Sequence, residues 1–376
     1  MQTLNPSPEH RIGPVDGLRG IAILAVLLLH FTPGRVTNLG FRSIILKLAD
    51  AGDVGVDLFF VISGFLITGI LFRSRGLPHR FRNFYARRTL RILPLYFLAL
   101  TVAFVVVPIF SSCGWIPLRD QLPYWFYVAN FKTTDAASRC IGVVHFWTLA
   151  IEEQFYAVWP AVLFLLSSRG ARRVCVAIIT LSVLFRFGLV ASAMNWRAYY
   201  WTPSRADAIA CGSLVGLAFA SGEGWRRITR WSGPVAALTG PPLAYLVWRD
   251  SINTIFSPPV PMVLIGRVVI PLIVALFFSS VLVLSLETRW LGRMLDNRVL
   301  TFFARYSYGL YVWHAMFANP LLSYMPLKLF GGPSNAAVVI RALVAIVFSL
   351  IVAIASYHLF EAPFLAVKKR FAERGI

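Results

Sequence analysis

The segment Asp16–Phe31 has the sequence DGLRGIAILAVLLLHF, and it decides the fold class. Between Arg19 and His30 every residue is apolar or glycine, which is what the hydrocarbon core of a bilayer requires of a helix. The charged residues Asp16 and Arg19 stand at one end of this segment. The pattern predicts a membrane-spanning helix that carries one imidazole, that of His30, inside its apolar stretch.

The same apolar pattern recurs along the rest of the chain. Of its 376 residues, 58% are hydrophobic and 14% are charged, whereas a soluble domain carries about 25% charged residues. This composition excludes a soluble enzyme, a disordered protein and a secreted disulfide scaffold. We predict an all-α membrane protein, a polytopic bundle of about ten transmembrane helices. The predicted spans lie near residues 15–33, 52–72, 92–110, 145–166, 174–194, 206–221, 232–249, 262–286, 302–322 and 337–362.

The basic residues set the predicted orientation of these spans. The chain has 36 Lys and Arg against 16 Asp and Glu, but they flank apolar segments, so we predict a lipid bilayer and no nucleic acid as partner. With a cytoplasmic N-terminus, 23 basic residues lie in inner segments and 10 in outer loops, as the positive-inside rule requires. We therefore predict a multi-pass protein of the bacterial inner membrane with both termini in the cytoplasm. Its predicted parts are an N-terminal segment 1–14, a membrane domain 15–364 and a basic tail 365–376.

The four cysteines divide between loop and membrane. Cys113 and Cys140 share the predicted outer loop between the third and fourth spans, and an outward loop in bacteria faces an oxidising compartment. A disulfide between them is one interpretation, and two free thiols in a partly buried loop are the other. Cys175 and Cys211 fall inside spans five and six.

The first span places two functional groups on one face. Arg19 and His30 are 11 residues apart, which at about 100° per residue puts both on one helix face, roughly 16 Å apart. A histidine in such a place is suited to removing a proton from a hydroxyl. The alternative is a structural histidine bonded to a helix carbonyl beside an interfacial arginine.

The fourth span contains two adjacent carboxylates, Glu152 and Glu153. Burying both in lipid is costly, so at least one faces a polar cavity. Glu152 shares its helix face with polar and aromatic residues, so we assign it to the site and treat Glu153 as secondary; the alternative is an internal ion pair with Arg186. The residues on the Glu152 face are His145, Thr148, Tyr156 and Trp159.

Further candidates lie in other spans. Arg88 and Arg91 share a face at i,i+3 and are suited to clamping phosphates. The alternative, which the spacing alone favours, is inner-face topology with contact to anionic lipid. Asp57 lies on a face of small residues, where close helix packing is the alternative role. In span nine, Ser307, Tyr311 and His314 share one face. We find no metal-ligand pattern and no glycine-rich phosphate loop, so no metal is predicted.

Taken in order, these motifs resemble the acyltransferase-3 family from about Asp16 to Phe364. The stretches that carry the resemblance are DGLRG (Asp16–Gly20), His30, VDLFFVISGFLI (Val56–Ile67), FYARRTLRILPLY (Phe84–Tyr96), HFWTLAIEEQFYAVWP (His145–Pro160), YSYGLYVWH (Tyr306–His314) and EAPF (Glu361–Phe364). The resemblance implies a polytopic transferase that moves an acyl group, usually acetyl, from cytoplasmic acyl-CoA to a carbohydrate or similar acceptor. Some relatives carry an esterase-like domain after the last span; we expect this chain to be the stand-alone form.

The resemblance also implies roles for particular residues. The family's signature positions fall on Arg19, His30, Arg88, Arg91 and Glu152, and Thr148 stands where the family usually has serine. We expect the three arginines to bind acyl-CoA, His30 to act as general base and Glu152 to support it. An acyl-histidine intermediate is the mechanistic variant. We expect Asp57, His145, Tyr156, Tyr311 and His314 to bind substrate.

The alternative function is a multi-span transporter of a sugar or small metabolite that uses buried His and Glu as a proton relay. No inverted repeat supports it. Several points stay open from the sequence. The acceptor is an O-antigen, an exopolysaccharide, a glycolipid or a macrolide-type product, and the donor carries acetyl or a longer acyl group. The oligomeric state is also open.

Overall fold

The structure is a computed structural model that describes residues 12–32, 47–111, 113–132, 136–248, 265–324, 329 and 335–371. Most of the predicted N-terminal segment 1–14 and the last part of the predicted tail 365–376 lie outside these residues. The described part of the chain is helical and contains no strand, which confirms the predicted all-α class.

Ten helices of 18 residues or more occur in the described part, and each overlaps one predicted span. They are α1 Gly13–Phe31, α2 Val54–Arg73, α3 Arg80–Thr101, α4 Phe146–Leu165, α5 Ser168–Ala191, α6 Thr202–Ser221, α7 Trp225–Trp248, α8 Ile270–Glu287, α9 Arg298–Tyr324 and α10 Asn335–Ser356. Of the helical segments described, six are long and apolar enough to cross a membrane. These six are Gly13–Phe31, Lys47–Arg73, Arg80–Phe110, Ser168–Ala191, Ile265–Glu287 and Ala337–Lys368.

Shorter helical elements extend or connect the long ones. The 3₁₀ turns are Ala51–Asp53, Ala129–Phe131 and Lys369–Phe371, and the π-helical turns are Val102–Val106, Ile265–Val269 and Tyr357–Glu361. The short α-helices are Val107–Phe110, Leu118–Trp125, Ala136–Cys140, Asn195–Tyr200, Arg289–Leu295 and Ala362–Lys368. The three π-helical turns continue α3, α8 and α10 without a break, so the extra residue of each turn is absorbed within a long helix.

Glycines bring the central helices into backbone contact. A Cβ on Gly64 of α2 would lie 2.0 Å from the carbonyl oxygen of Ile209, and one on Gly212 of α6 would lie 1.9 Å from that of Val61. Only glycine permits this approach. In the same way, a Cβ on Gly20 of α1 would lie 2.3 Å from a backbone oxygen of α9. These contacts hold α1 and α2 against their neighbours, so their polar side chains point into shared interior space.

Two buried ion pairs join α2, α5 and α6. Arg205 donates to Asp57 at 2.8 Å, and Arg186 donates to Asp207 at 2.7 Å. All four side chains are at most 2% exposed. Pairing compensates part of the cost of burying each charge. Arg186 therefore has a partner other than Glu152, and the alternative that Glu152 forms an ion pair with Arg186 is wrong.

The long loop between α3 and α4 is crosslinked. Cys113 and Cys140 form a disulfide with a Cα–Cα distance of 5.7 Å, which is the first of the two interpretations that the sequence left open. Cys175 in α5 and Cys211 in α6 are free thiols and are buried. The crosslinked loop leads directly into His145 and the start of α4, so it lies at the histidine end of the bundle.

Candidate active site

A cavity of about 260 Å³ lies between α1, α2, α3, α4 and α9. Its apolar wall comes mainly from α2, and its polar groups come from all five helices. The polar residues that line it are Arg19, Ser63, Arg88, Arg91, Thr148, Glu152, Glu153, Tyr156, Ser307, Tyr308 and Tyr311. A helix bundle builds such a site by turning one polar face of each helix inward, because lipid cannot solvate these groups.

Arginines dominate one end of the cavity. Arg19 donates to the Ser307 hydroxyl at 2.9 Å, and the Arg88 guanidinium lies 4.4 Å above the Tyr156 ring. Arg91 also lines this end. These contacts fix the guanidinium planes, and fixed guanidinium forks are suited to phosphate. This end of the cavity therefore offers a preformed anion site.

A second, smaller cavity of about 50 Å³ adjoins the first. The two share Arg88 and Arg91 in their walls, and the smaller one adds Arg87 and Lys368. Lys368 belongs to the short helix Ala362–Lys368, which packs beside α3. The anion site therefore continues beyond the main cavity into a basic pocket between α3 and the end of the chain's described part.

Glu152 lies inside the main cavity, on the face that its spacing predicts. Its Oε1 accepts a hydrogen bond from the Ser63 hydroxyl at 2.7 Å. Thr148 and Tyr156, one turn away on either side, line the same wall. Glu153 lines the cavity too, so its secondary ranking in the sequence underestimated how much of the α4 circumference the cavity covers.

His30 stands at the other end of α1, within a cluster of three imidazoles. Its Nδ1 lies 2.8 Å from the carbonyl oxygen of Val26, and since a carbonyl only accepts, Nδ1 donates this bond. The ring centroid of His30 lies 4.7 Å from that of His314, which lies 4.8 Å from that of His145. The tautomer leaves Nε2 of His30 with a free lone pair.

Tyr311 and Thr148 lie between the cavity and the imidazole cluster. The Tyr311 hydroxyl is 2.6 Å from the Thr148 hydroxyl, and the Tyr311 ring centroid is 5.6 Å from that of His314. Both residues line the cavity, whereas His30 is not among the lining residues. The contact between Tyr311 and Thr148 thus lies between the arginine end of the cavity and the imidazole cluster.

The structure brings most predicted site residues together. Six of them line the cavity, namely Arg19, Arg88, Arg91, Glu152, Tyr156 and Tyr311. Three form the imidazole cluster, namely His30, His145 and His314. Asp57 joins neither group, because it is paired with Arg205. Glu152 and His30 share no hydrogen bond: the bond of Glu152 comes from Ser63, and that of His30 goes to Val26.

Some residues at the site were missed by the sequence reasoning. Ser63 is one of them: no base is adjacent to it in the chain, but the carboxylate that it contacts belongs to α4. Its signal was available, since it is a hydroxyl within the apolar run Leu58–Ile67. Arg87 and Lys368, which line the smaller cavity, are two more. In the sequence they belong to basic segments beside apolar runs, a pattern that indicates membrane orientation rather than a binding site. In the described residues, no group of three or more His, Cys, Asp or Glu side chains is arranged to hold a metal.

The fold and the cavity define a helical membrane protein with a buried polar site. The family model described as "Acyltransferase domain" matches residues 13–358. The chain therefore belongs to this acyltransferase family, as the motifs of the sequence indicated.

Curated relatives cover nearly the whole chain at low identity. The putative peptidoglycan O-acetyltransferase YrhL of Bacillus subtilis is 27% identical over 399 residues, which is 94% of this chain and 55% of the relative. The peptidoglycan O-acetyltransferase OatA of Listeria monocytogenes is 25% identical over 93% of this chain and 55% of the relative. A putative O-acetyltransferase of Staphylococcus aureus strain COL is 26% identical over 93% of this chain and 56% of the relative. The chain thus spans about half the length of these relatives. No solved structure matches it significantly.

Proposed function

We propose that the protein is an integral membrane O-acyltransferase that moves an acyl group, acetyl in the simplest case, from cytoplasmic acyl-CoA to a hydroxyl of a carbohydrate acceptor. One observation carries this proposal: a cavity between five helices has three arginines at one end and approaches an imidazole cluster at the other. We further propose that all ten long helices cross the bacterial inner membrane and that both termini are cytoplasmic, as the basic residues predict.

The arginine end is where the donor binds in this proposal. The phosphates of acyl-CoA contact Arg88 and Arg91, with Arg19 close by and Arg87 and Lys368 extending the basic surface. Guanidinium forks bind phosphate oxygens in pairs. The apolar wall of α2 accommodates the pantetheine arm, which places the thioester deeper in the cavity, towards Tyr311.

His30 is the general base in this proposal. The hydrogen bond to Val26 keeps the proton on Nδ1, so Nε2 is free to take the proton of the acceptor hydroxyl. The acceptor oxygen then forms the new bond to the acyl carbon, the carbon–sulfur bond breaks, and the proton passes from His30 to the CoA sulfur. No protein nucleophile is needed, and an acyl-histidine intermediate is the variant of this mechanism.

Glu152 acts at the donor end in this proposal. Its hydrogen bond from Ser63 holds it in the cavity wall, among Arg19, Arg88 and Arg91. A carboxylate there offsets part of the positive charge while the donor is absent. Direct support of His30 by Glu152 stays a prediction from helix-face spacing, since the hydrogen bond that the structure gives Glu152 leads to α2.

The acceptor is proposed as a carbohydrate of the cell wall or cell surface. Relatives from B. subtilis and L. monocytogenes are named for peptidoglycan, which is a carbohydrate polymer. The histidine end of the cavity faces the outer loops in the proposed topology, so such an acceptor reaches His30 from outside. His145, Tyr311 and His314 remain the predicted substrate residues at that end, and Tyr156 the one beside the donor. For Asp57, which is paired with Arg205, substrate binding stays a prediction from the sequence.

The test uses purified full-length protein in proteoliposomes with labelled acetyl-CoA and soluble carbohydrate acceptors. We expect label on the carbohydrate, stoichiometric release of CoA thiol, and loss of both in His30→Ala. His358→Ala is the matched control, because His358 is an exposed histidine that does not line the cavity, and it keeps wild-type transfer. Full transfer in His30→Ala would refute the base assignment. Uptake of carbohydrate without labelling would favour the transporter.

A further inference from the structure

A short turn packs against the end of α1 that carries His30. This turn is Ala51–Asp53, directly before α2. A Cβ on Gly52 would lie 2.0 Å from the carbonyl oxygen of Ala25 and 2.9 Å from Cβ of Leu29. The backbone of the turn therefore touches α1 within one turn of His30, and only glycine allows that contact. It fixes the position of the next residue, Asp53, relative to the imidazole.

Asp53 has a defined partner on its other side. Its Oδ2 accepts a hydrogen bond from the Tyr199 hydroxyl at 2.6 Å, and Tyr199 belongs to the short helix Asn195–Tyr200. Arg205 donates its hydrogen bond to Asp57. Asp53 is thus held in place by a neutral hydrogen-bond donor.

Two imidazoles and one carboxylate belong to the elements packed around His30. His314 comes from α9, His145 precedes α4, and Asp53 belongs to the turn before α2. Of these, Asp53 is the acidic one, and its turn packs directly on the part of α1 that carries His30. Glu152, the other candidate carboxylate, lies among the arginines of the cavity.

We propose that Asp53 is the carboxylate that supports His30 in catalysis and that Tyr199 holds Asp53 in place. When His30 takes the acceptor proton it becomes a cation, and a fixed carboxylate stabilises that cation over several ångströms where the local dielectric constant is low. Val26 already binds Nδ1, so Asp53 acts through its charge rather than through a hydrogen bond to the ring. This inference rests on the proposed role of His30 as the base.

Steady-state kinetics of full-length Asp53→Asn test the proposal, with acetyl-CoA and a carbohydrate acceptor as substrates. We expect kcat to fall by roughly 10- to 100-fold, since a charge that stabilises the protonated base is lost. The KM for acetyl-CoA stays within about twofold, because the arginines lie at the opposite end of the cavity. Asp53→Glu, which restores a carboxylate, recovers most of the rate, and a purely structural role would not give this rescue.

Two comparisons sharpen the test. Glu152→Gln acts at the donor end, so its effect appears in the KM for acetyl-CoA. Asp120→Asn is the matched control, because Asp120 is a half-exposed carboxylate of the outer loop that pairs with Lys132, and it keeps wild-type kinetics. Tyr199→Phe lowers kcat less than Asp53→Asn does, and the double variant is no slower than Asp53→Asn alone.

The outcomes separate this inference from the proposed function. Wild-type kcat in a correctly folded Asp53→Asn, together with an inactive His30→Ala, overturns the role of Asp53 and leaves His30 as the base. Activity in His30→Ala removes the proposed function itself. If Asp53→Asn elutes as an aggregate, Tyr199→Phe carries the test, since it keeps the carboxylate and removes its donor; unchanged kcat there overturns the proposal.

Discussion

At the scale of single residues, Arg88 joins the two basic cavities. It lines both of them, and its guanidinium carbon lies 4.4 Å from the centroid of the Tyr156 ring. A lysine at this position would keep the charge but lose the fork and the stacking plane. The contribution of Arg88 to donor binding therefore depends on shape as well as on charge.

We expect Arg88→Lys to raise the KM for acetyl-CoA by roughly tenfold, since about 1.4 kcal/mol of binding is lost with one fork-to-phosphate contact. The kcat changes less, because His30 is at the other end. Arg173→Ala, an exposed arginine on α5 outside the lining of either cavity, serves as control. Two results together would contradict the phosphate role. The wild type would show the same KM for donors with and without the 3′-phosphate, and Arg88→Lys would leave the KM for acetyl-CoA unchanged.

Residue-level reasoning from sequence succeeded where a helix carries the residue. The faces of α1, α3 and α4 follow from 3.6 residues per turn, and the faces that carry Arg19, Arg88 and Glu152 line one cavity. The same reasoning could not single out Asp53, because the direction of a side chain in a turn depends on what the turn packs against. The decisive contact there is between Gly52 and Ala25, which are distant in sequence.

At the scale of elements, the α2–α6 pair is the tightest helix contact that the structure describes. Its backbones meet at Gly64 and Gly212, and the Asp57–Arg205 ion pair crosses the same interface. α2 forms the apolar wall of the cavity and carries Ser63. The position of that wall therefore depends on the glycine contact.

Gly212→Ala tests this dependence. Its added Cβ would lie 1.9 Å from a backbone oxygen, so α2 and α6 must separate, and overpacking of this kind costs about 1–3 kcal/mol. We expect a lower unfolding temperature in detergent and reduced transfer. Gly188→Ala in α5 is the matched control, since nothing lies within 4 Å of its added Cβ, and it keeps wild-type stability or gains slightly.

Equal stability of the two alanine variants would show that the α2–α6 contact tolerates separation. The sequence indicated this contact only in part: the small residues of α2 predicted close packing, but not which helix would meet them. Arg205 and Asp207 both lie near the start of α6, but Arg205 pairs with Asp57 of α2 and Asp207 pairs with Arg186 of α5. Pairing between helices depends on the tertiary arrangement, which one helix's spacing does not contain.

At the scale of the whole molecule, the approximate positions of the ten long helices in the described part were predictable, because each overlaps a span drawn from the apolar pattern of the sequence. Their arrangement was not, since lipid-facing and buried apolar faces have the same composition in a membrane protein. The proposed mechanism also requires one particular orientation of the protein in the membrane. The arginine end must face the cytoplasm, where acyl-CoA is, and the histidine end must face the acceptor.

The cysteines allow this orientation to be measured. In the wild type, the outer pair is joined in a disulfide, and Cys175 and Cys211 are buried. We therefore expect a membrane-impermeant maleimide to leave the wild type unlabelled in intact spheroplasts and to label Cys140→Ala at its freed Cys113. A cysteine introduced by Arg82→Cys in the Cys113→Ala, Cys140→Ala background lies beside the arginine end, at an exposed position of α3. It is labelled only after the membrane is permeabilised, because that end lies inside. The reverse pattern would place the arginines outside, where no acyl-CoA reaches them, and the proposed route of the donor would be wrong even if His30 were essential.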